Sequence, residues 1–201
     1  MTWMLFDYGV GNLHSLRKAL DAAGADTAVT TRGADLEDAT VAVLPGVGAF
    51  GHVMDALDAS GASDVLRARH DAGRPILGVC IGQQVLYEGS AESPGVPGLG
   101  ILPGHVERLP RDAGKVPHMG WNTLDNAADP ALAGVDGRHV YYVHTYAAPP
   151  GPEATATTTY GMTYAAAVRS GQTLGFQFHP EKSSAVGADI LKRVVQAWEA
   201  P

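Results

Sequence analysis

The sequence has little cysteine, few aromatic side chains, fewer positive than negative charges and no long apolar run. Of its 201 residues only Cys80 is a cysteine, which excludes an internal disulfide framework and fits a reducing compartment. Lysine and arginine number 14 against 21 aspartates and glutamates, a formal charge of -7. That balance argues against a phosphate-backbone partner, so no nucleic acid is expected. No apolar stretch is long enough to span a bilayer, and Met1 runs into a strand pattern with neither a basic segment nor a leader-like run behind it. The expectation is a cytoplasmic protein with no membrane partner. Neither a repeat nor a low-complexity linker divides the chain. Hydrophobic residues make up 45%, enough at this length for one sizeable core, and a single domain over 1–201 is expected.

What is present alternates between strand and helix patterns. Thr2 to Asp7 read as a strand, Asp7-Tyr-Gly-Val-Gly-Asn12 as a turn, and Leu13 to Ala23 as a helix. Further strands follow at Thr27 to Thr31, Val41 to Leu44 and Ile76 to Val79. Such alternation is the pattern of an open, mostly parallel twisted sheet with helices on both faces. Gly9 and Gly11 do not make a dinucleotide loop, because the third glycine and a downstream ribose-binding acid are missing. Asn12 reads as a helix cap, at a strand end where α/β proteins also present functional groups.

The residue that most needs explaining is Cys80. It follows the apolar run Ile76 to Val79, with Gly78 and Gly82 two residues to either side and a helix pattern beginning near Gln84. A nucleophile elbow needs residues without bulk at those two places so that a strained strand-to-helix turn can close. A thiol at the start of a helix also faces free amides, which favour the thiolate. A lone cysteine in such a chain is otherwise most often a small buried hydrophobe. Almost a hundred residues on, Leu174 to Phe178 read as a strand ending in His179-Pro-Glu181. Two-residue spacing in an extended chain points His179 and Glu181 the same way, and Pro180 keeps His179 extended. Alone this could be a surface turn. With the elbow it supplies nucleophile, base and orienter.

Between them, Pro45-Gly-Val-Gly48 ends the third strand ahead of a helix expected from about His52 to Leu57. It can be an ordinary turn, or a source of amides for an oxyanion. In the second case Val47 and Ile81, the residue after the nucleophile, supply the two N–H donors. Gly46 can adopt φ values closed to other residues, so the peptide before Val47 can rest with its carbonyl facing the site. The eight histidines are scattered, His139 and His144 reading as the ends of a strand. Neither a metal nor a cofactor is expected.

Five segments, Leu44-Pro-Gly-Val-Gly-Ala-Phe50, Gly78-Val-Cys-Ile-Gly82 with Gln84, Val116-Pro-His-Met-Gly-Trp-Asn122, Tyr142-Val-His-Thr-Tyr146 and Phe176-Gln-Phe-His-Pro-Glu-Lys-Ser-Ser184, resemble the class I glutamine amidotransferases. The Pro-Gly-Val-Gly and Pro-His-Met-Gly-Trp-Asn segments narrow the resemblance to the glutaminase subunits of imidazole glycerol phosphate synthases, over essentially the whole chain. The resemblance implies a flavodoxin-like class I amidotransferase fold and L-glutamine as substrate. It implies that Cys80 attacks the glutamine amide, that His179 protonates ammonia and then activates water, and that Glu181 orients His179. Gln84 and Glu92 match positions holding the amino-acid end of glutamine, with Gly48, Thr145 and Tyr146 completing the pocket. The implied partner is a (β/α)₈-barrel cyclase in a heterodimer. It combines ammonia with a phosphoribulosyl formimino carboxamide nucleotide to give imidazole glycerol phosphate and an aminoimidazole carboxamide ribotide. Asn12, Trp121 and Lys182 are placed where that barrel docks. Gln83 departs from the family's usual Met and is expected to set a polar group beside the pocket. Ala147 to Gly151 are smaller and less polar than in relatives. A paralogue feeding another synthase, or a stand-alone cysteine hydrolase on the same fold, are the competing readings.

Overall fold

The computed structural model describes residues 2–11 and 13–199. Asn12, expected as a helix cap and partner contact, lies outside the described residues. In chain order the elements begin with β1 (Thr2–Phe6), α1 (His14–Ala23), β2 (Asp26–Thr30), α2 (Ala34–Glu37) and β3 (Val41–Leu44). They continue with α3 (Phe50–Ala59), α4 (Ala62–Asp71), β4 (Ile76–Val79) and α5 (Ile81–Gln84). After the short strands β5 (Gly89–Ser90) and β6 (His105–Arg108) come β7 (His118–Thr123), β8 (His139–His144) and β9 (Tyr146–Ala147). The chain closes with β10 (Ala154–Tyr160), β11 (Met162–Ser170), β12 (Thr173–Phe176) and α6 (Ser184–Glu199).

A seven-stranded sheet of order β10-β11-β12-β4-β3-β1-β2 carries the fold. From β12 to β2 every pairing is parallel, and β10 and β11 add an antiparallel edge. Alternation along each strand divides the core. Val41, Val43, Leu77 and Val79 pack with Leu16 and Leu20 of α1 and Ile190, Leu191 and Val194 of α6. Ala42, Leu44 and Ile76 point the other way, against Val53, Met54 and Leu57 of α3 and Leu66 of α4. Strands buried on both faces must be apolar at every position, which is why Val41–Leu44 and Ile76–Val79 are continuous hydrophobic runs. The expected parallel sheet covered on both faces is the observed one.

The strand order has a direct consequence for function. β4 lies between β3 and β12, with Gly78 level with Leu44 on one side and Gly175 on the other. The three segments singled out in the sequence, after Leu44, Val79 and Phe176, therefore leave neighbouring strands at one carboxyl edge, where open α/β sheets bind ligands. Several boundaries differ from expectation, β12 running Thr173–Phe176 and not Leu174 to Phe178 among them. α5 begins at Ile81, directly after Cys80, and ends at Gln84, because the elbow itself nucleates the helix: Gln83 and Gln84 N–H both donate to the Cys80 carbonyl, at 3.0 and 3.1 Å. α3 starts earlier, at Phe50, whose N–H donates to the Glu92 carboxylate at 2.8 Å.

Candidate active site

Cys80 sits in the turn between β4 and α5 at φ 51 and ψ -108, a backbone state that costs a non-glycine residue about 1–3 kcal/mol. The surroundings enforce it. Cys80 N–H donates to the Phe176 carbonyl at 2.6 Å. A Cβ on Gly78 would stand 2.5 Å from the Gly82 carbonyl oxygen, and one on Gly82 would stand 2.0 Å from that of Leu44. The two flanking glycines are needed for these backbone approaches, as the elbow reading requires. Cys80 is 8% exposed.

His179 reaches Cys80 from the end of β12. Its N–H donates to the Tyr141 carbonyl at 2.9 Å, and its own carbonyl accepts from Ser183 Oγ at 2.6 Å. Ser183 Oγ also accepts the Tyr141 N–H at 2.9 Å, locking the turn to β8. His179 is extended, at φ -98 and ψ 98, whereas Pro180–Lys182 form a 3₁₀ turn. It is this turn, and not an extended run, that brings Glu181 back under the ring. His179 Nδ1 donates to Glu181 Oε1 at 2.7 Å, with both side chains buried. Nε2 is buried and has no hydrogen-bond partner among the described residues. Burial pulls the His179 pKa down, but the neighbouring Cys80 and the Glu181 carboxylate outweigh it and raise the pKa well above the usual imidazole range.

The loop after β3 packs against this pair. Gly46 does not use a left-handed φ, whereas Gly48 does, at φ 99. In this conformation Gly46 contributes the absence of a side chain: a Cβ there would stand 2.7 Å from His179 Cε1 and 3.0 Å from Cys80 Cβ. The N–H groups of Val47 and Ile81 donate no hydrogen bond among the described residues.

A cavity of about 100 Å³ opens beside the thiol, lined by Gly48, Cys80, Ile81, Gln84, Glu92, Val143, His144, Thr145 and Tyr146. All five residues expected to hold glutamine are therefore gathered there. Gln84 Nε2 donates to the Tyr146 carbonyl at 2.7 Å and to Gln177 Oε1 at 3.0 Å, so both its hydrogens are used and its oxygen remains as an acceptor. Val47 lies instead on an adjoining cavity of about 250 Å³, with His179, Glu181 and Lys182. Trp121 is 49% exposed, and its ring stands edge-on to Tyr141 at 5.9 Å. Lys182 is exposed one residue beyond Glu181.

Three features escaped the sequence. Gln83 does not border the cavity: it is fully buried on the other side of α5, its Nε2 donating to the Ala165 carbonyl at 3.2 Å. Gln177, inside a quoted motif but given no role, turns its amide to Cys80. His144 ends β8 as expected, yet it also lines the cavity. Its Nδ1 donates to the Tyr146 carbonyl at 2.9 Å, and Tyr164 OH lies 3.3 Å from its Nε2 and 3.0 Å from His118 Nδ1. Burial lowers the pKa of His118 to about 4 and, with His118 nearby, that of His144 to about 3. Both rings are neutral at ordinary pH.

The family model "Glutamine amidotransferase class-I" matches residues 4–197. The chain is 45% identical over 192 residues to imidazole glycerol phosphate synthase subunit HisH of Thermus thermophilus, covering 95% of each chain. It is 45% identical over 198 residues to the same subunit of Methanothermobacter thermautotrophicus, covering 98% of each. A solved structure described as a glutamine amidotransferase superposes with a TM-score of 0.77 at 20% identity, covering 98% of both chains. With the family model matching nearly the whole chain, the chain belongs to the class I glutamine amidotransferases. Within the class it falls in the family of HisH subunits of imidazole glycerol phosphate synthase.

Proposed function

We propose that the chain is the glutaminase subunit of a histidine-biosynthetic imidazole glycerol phosphate synthase, with Cys80, His179 and Glu181 as its triad. The observation that carries this reading is the Glu181–His179 hydrogen bond at 2.7 Å, which fixes the ring so that its unpartnered Nε2 serves Cys80. Cys80 Sγ attacks the side-chain amide carbon of glutamine, and the oxygen gains negative charge at the Ile81 N–H. His179 gives its Nε2 proton to the departing ammonia, leaving a glutamyl thioester. The same nitrogen then takes a proton from water, whose oxygen displaces sulfur and releases glutamate. Gln84 Oε1 and Glu92 are acceptors suited to the α-ammonium group, and Gly48, Thr145 and Tyr146 form the rest of the wall.

Val47 is the second oxyanion donor once its peptide turns toward the thiol. One such donor is worth about a hundredfold to a thousandfold in rate, so the resting loop holds the enzyme quiet. Ammonia released into neutral water becomes ammonium, which is no nucleophile, and idling without a partner prevents that loss. The partner is a (β/α)₈-barrel cyclase docking at the Trp121 and Lys182 edge in a cytoplasmic heterodimer, with no membrane or nucleic acid involved and no cofactor in the glutaminase step. The test is glutamate release by the isolated chain before and after adding the cyclase and its nucleotide. Low release that rises at least a hundredfold supports the reading; full turnover alone, unchanged on addition, favours a stand-alone hydrolase.

A further inference from the structure

Among the described residues, two groups lie within hydrogen-bonding reach of the Cys80 sulfur. Gln177 Nε2 lies 3.7 Å away and the Val143 carbonyl 3.9 Å away. Gln177 is fully buried, and which end of its amide faces the sulfur follows from a chain of necessities. The Tyr146 carbonyl can only accept, so the atom of Gln84 that lies 2.7 Å from it is the nitrogen. That same nitrogen lies 3.0 Å from the Gln177 amide, so it meets the Gln177 oxygen, and the Gln177 nitrogen is turned to Cys80.

We infer that Gln177 is a positioning residue for the nucleophile, its amide bridging the glutamine-reading Gln84 to the Cys80 sulfur. As a thiol, Cys80 directs S–H to the Val143 carbonyl. As a thiolate it accepts the Gln177 N–H, a charge-assisted bond that holds the sulfur at the cavity wall. Gln84, bound at its oxygen by substrate, holds the Gln177 oxygen with its nitrogen, so occupancy of the pocket and alignment of the sulfur share one hydrogen-bonded line. A buried amide with one acceptor and one donor so placed loses both functions if replaced by an apolar side chain, and only the donor if replaced by a carboxylate.

This inference rests on Cys80 being the nucleophile, and the two can fail separately. Cys80 is the only cysteine in the sequence, so iodoacetamide alkylation of the full chain reports on it alone. The groups that face the sulfur and also shape its pH profile are His179 with Glu181 behind it, His144, Tyr164 and, across the cavity, Glu92. Gln177→Met and Gln177→Glu are expected to move the alkylation profile to higher pH and to slow alkylation near neutrality about tenfold. Gln177→Glu keeps the acceptor for Gln84 and a near-normal KM while kcat falls; Gln177→Met raises KM as well. A wild-type alkylation profile in both folded variants overturns the inference. If neither folds, the side-chain amide resonance of Gln177 in the wild-type chain decides, since it must shift when Cys80 is alkylated, and an unmoved resonance overturns the inference. Glutaminase activity surviving in Cys80→Ala would instead sink the nucleophile assignment itself.

Discussion

Gly46 approaches His179 so closely that a Cβ on it would stand 2.7 Å from the ring's Cε1. The base is thus held between Glu181 below and a bare stretch of backbone above. Gly46→Ala is expected to push the imidazole off line and lower the glutaminase kcat about a hundredfold, as a displacement of an ångström does. Circular dichroism should show the fold kept, because the loop is at the sheet edge. A kcat within twofold of wild type would mean that the ring has room the structure does not show.

The base and its orienter should differ in cost. His179→Asn removes the proton carrier proposed to serve Cys80 and should reduce turnover about as far as loss of the thiol. Glu181→Gln still offers an acceptor to Nδ1 but cannot balance the imidazolium, and a smaller loss in kcat is expected. Small and equal effects in steady-state assays would remove both residues from the mechanism.

How much of this was legible follows from where each constraint lies. The elbow and His179-Pro-Glu181 are local, so their residues were legible in a few consecutive positions, although a 3₁₀ turn and not the extended spacing expected brings Glu181 to the ring. The proposed glutamine pocket was legible only through resemblance, since Gln84, Glu92 and Tyr146 meet across separate elements. The steric constraint on Gly46 was not legible beside its torsional freedom, because the ring it meets lies over a hundred positions away. Gln83 and Gln84 are adjacent on a short helix that turns them to opposite sides, and no periodicity is readable over four residues. The cluster of His118, His144 and Tyr164 was not legible either, because pairing of β7 with β8 brings the two histidines together and Tyr164 reaches them from β11.

That buried cluster sets an acid limit. In the folded chain His118 and His144 are neutral down to about pH 4 and about pH 3, while in the unfolded chain both protonate near pH 6.5. Between those values the unfolded state binds more protons, so stability falls as pH is lowered, by up to about 1.4 kcal/mol per pH unit for each histidine. Urea unfolding midpoints should decline from about pH 6.5 downward. His144→Asn, which keeps a donor for the Tyr146 carbonyl, should flatten the slope; an unchanged slope would place the acid sensitivity elsewhere.

At the outer edge, Trp121 leans on Tyr141, whose carbonyl holds the backbone of His179. Trp121→Ala and Lys182→Ala should weaken cyclase-dependent stimulation about tenfold or more, as loss of an interface anchor does, with Cys80 still open to alkylation. Full stimulation in both variants, measured with saturating nucleotide, would move the docking face.

In the proposed function one thiol makes ammonia for chemistry carried out in another chain. This is tested most directly by assaying the Cys80→Ala chain, assembled with its cyclase, for imidazole glycerol phosphate formation from glutamine and, separately, from ammonium salt at high pH. The account predicts no product from glutamine and near wild-type product from ammonia. Product from glutamine in the variant, or its loss with both nitrogen sources, would contradict it.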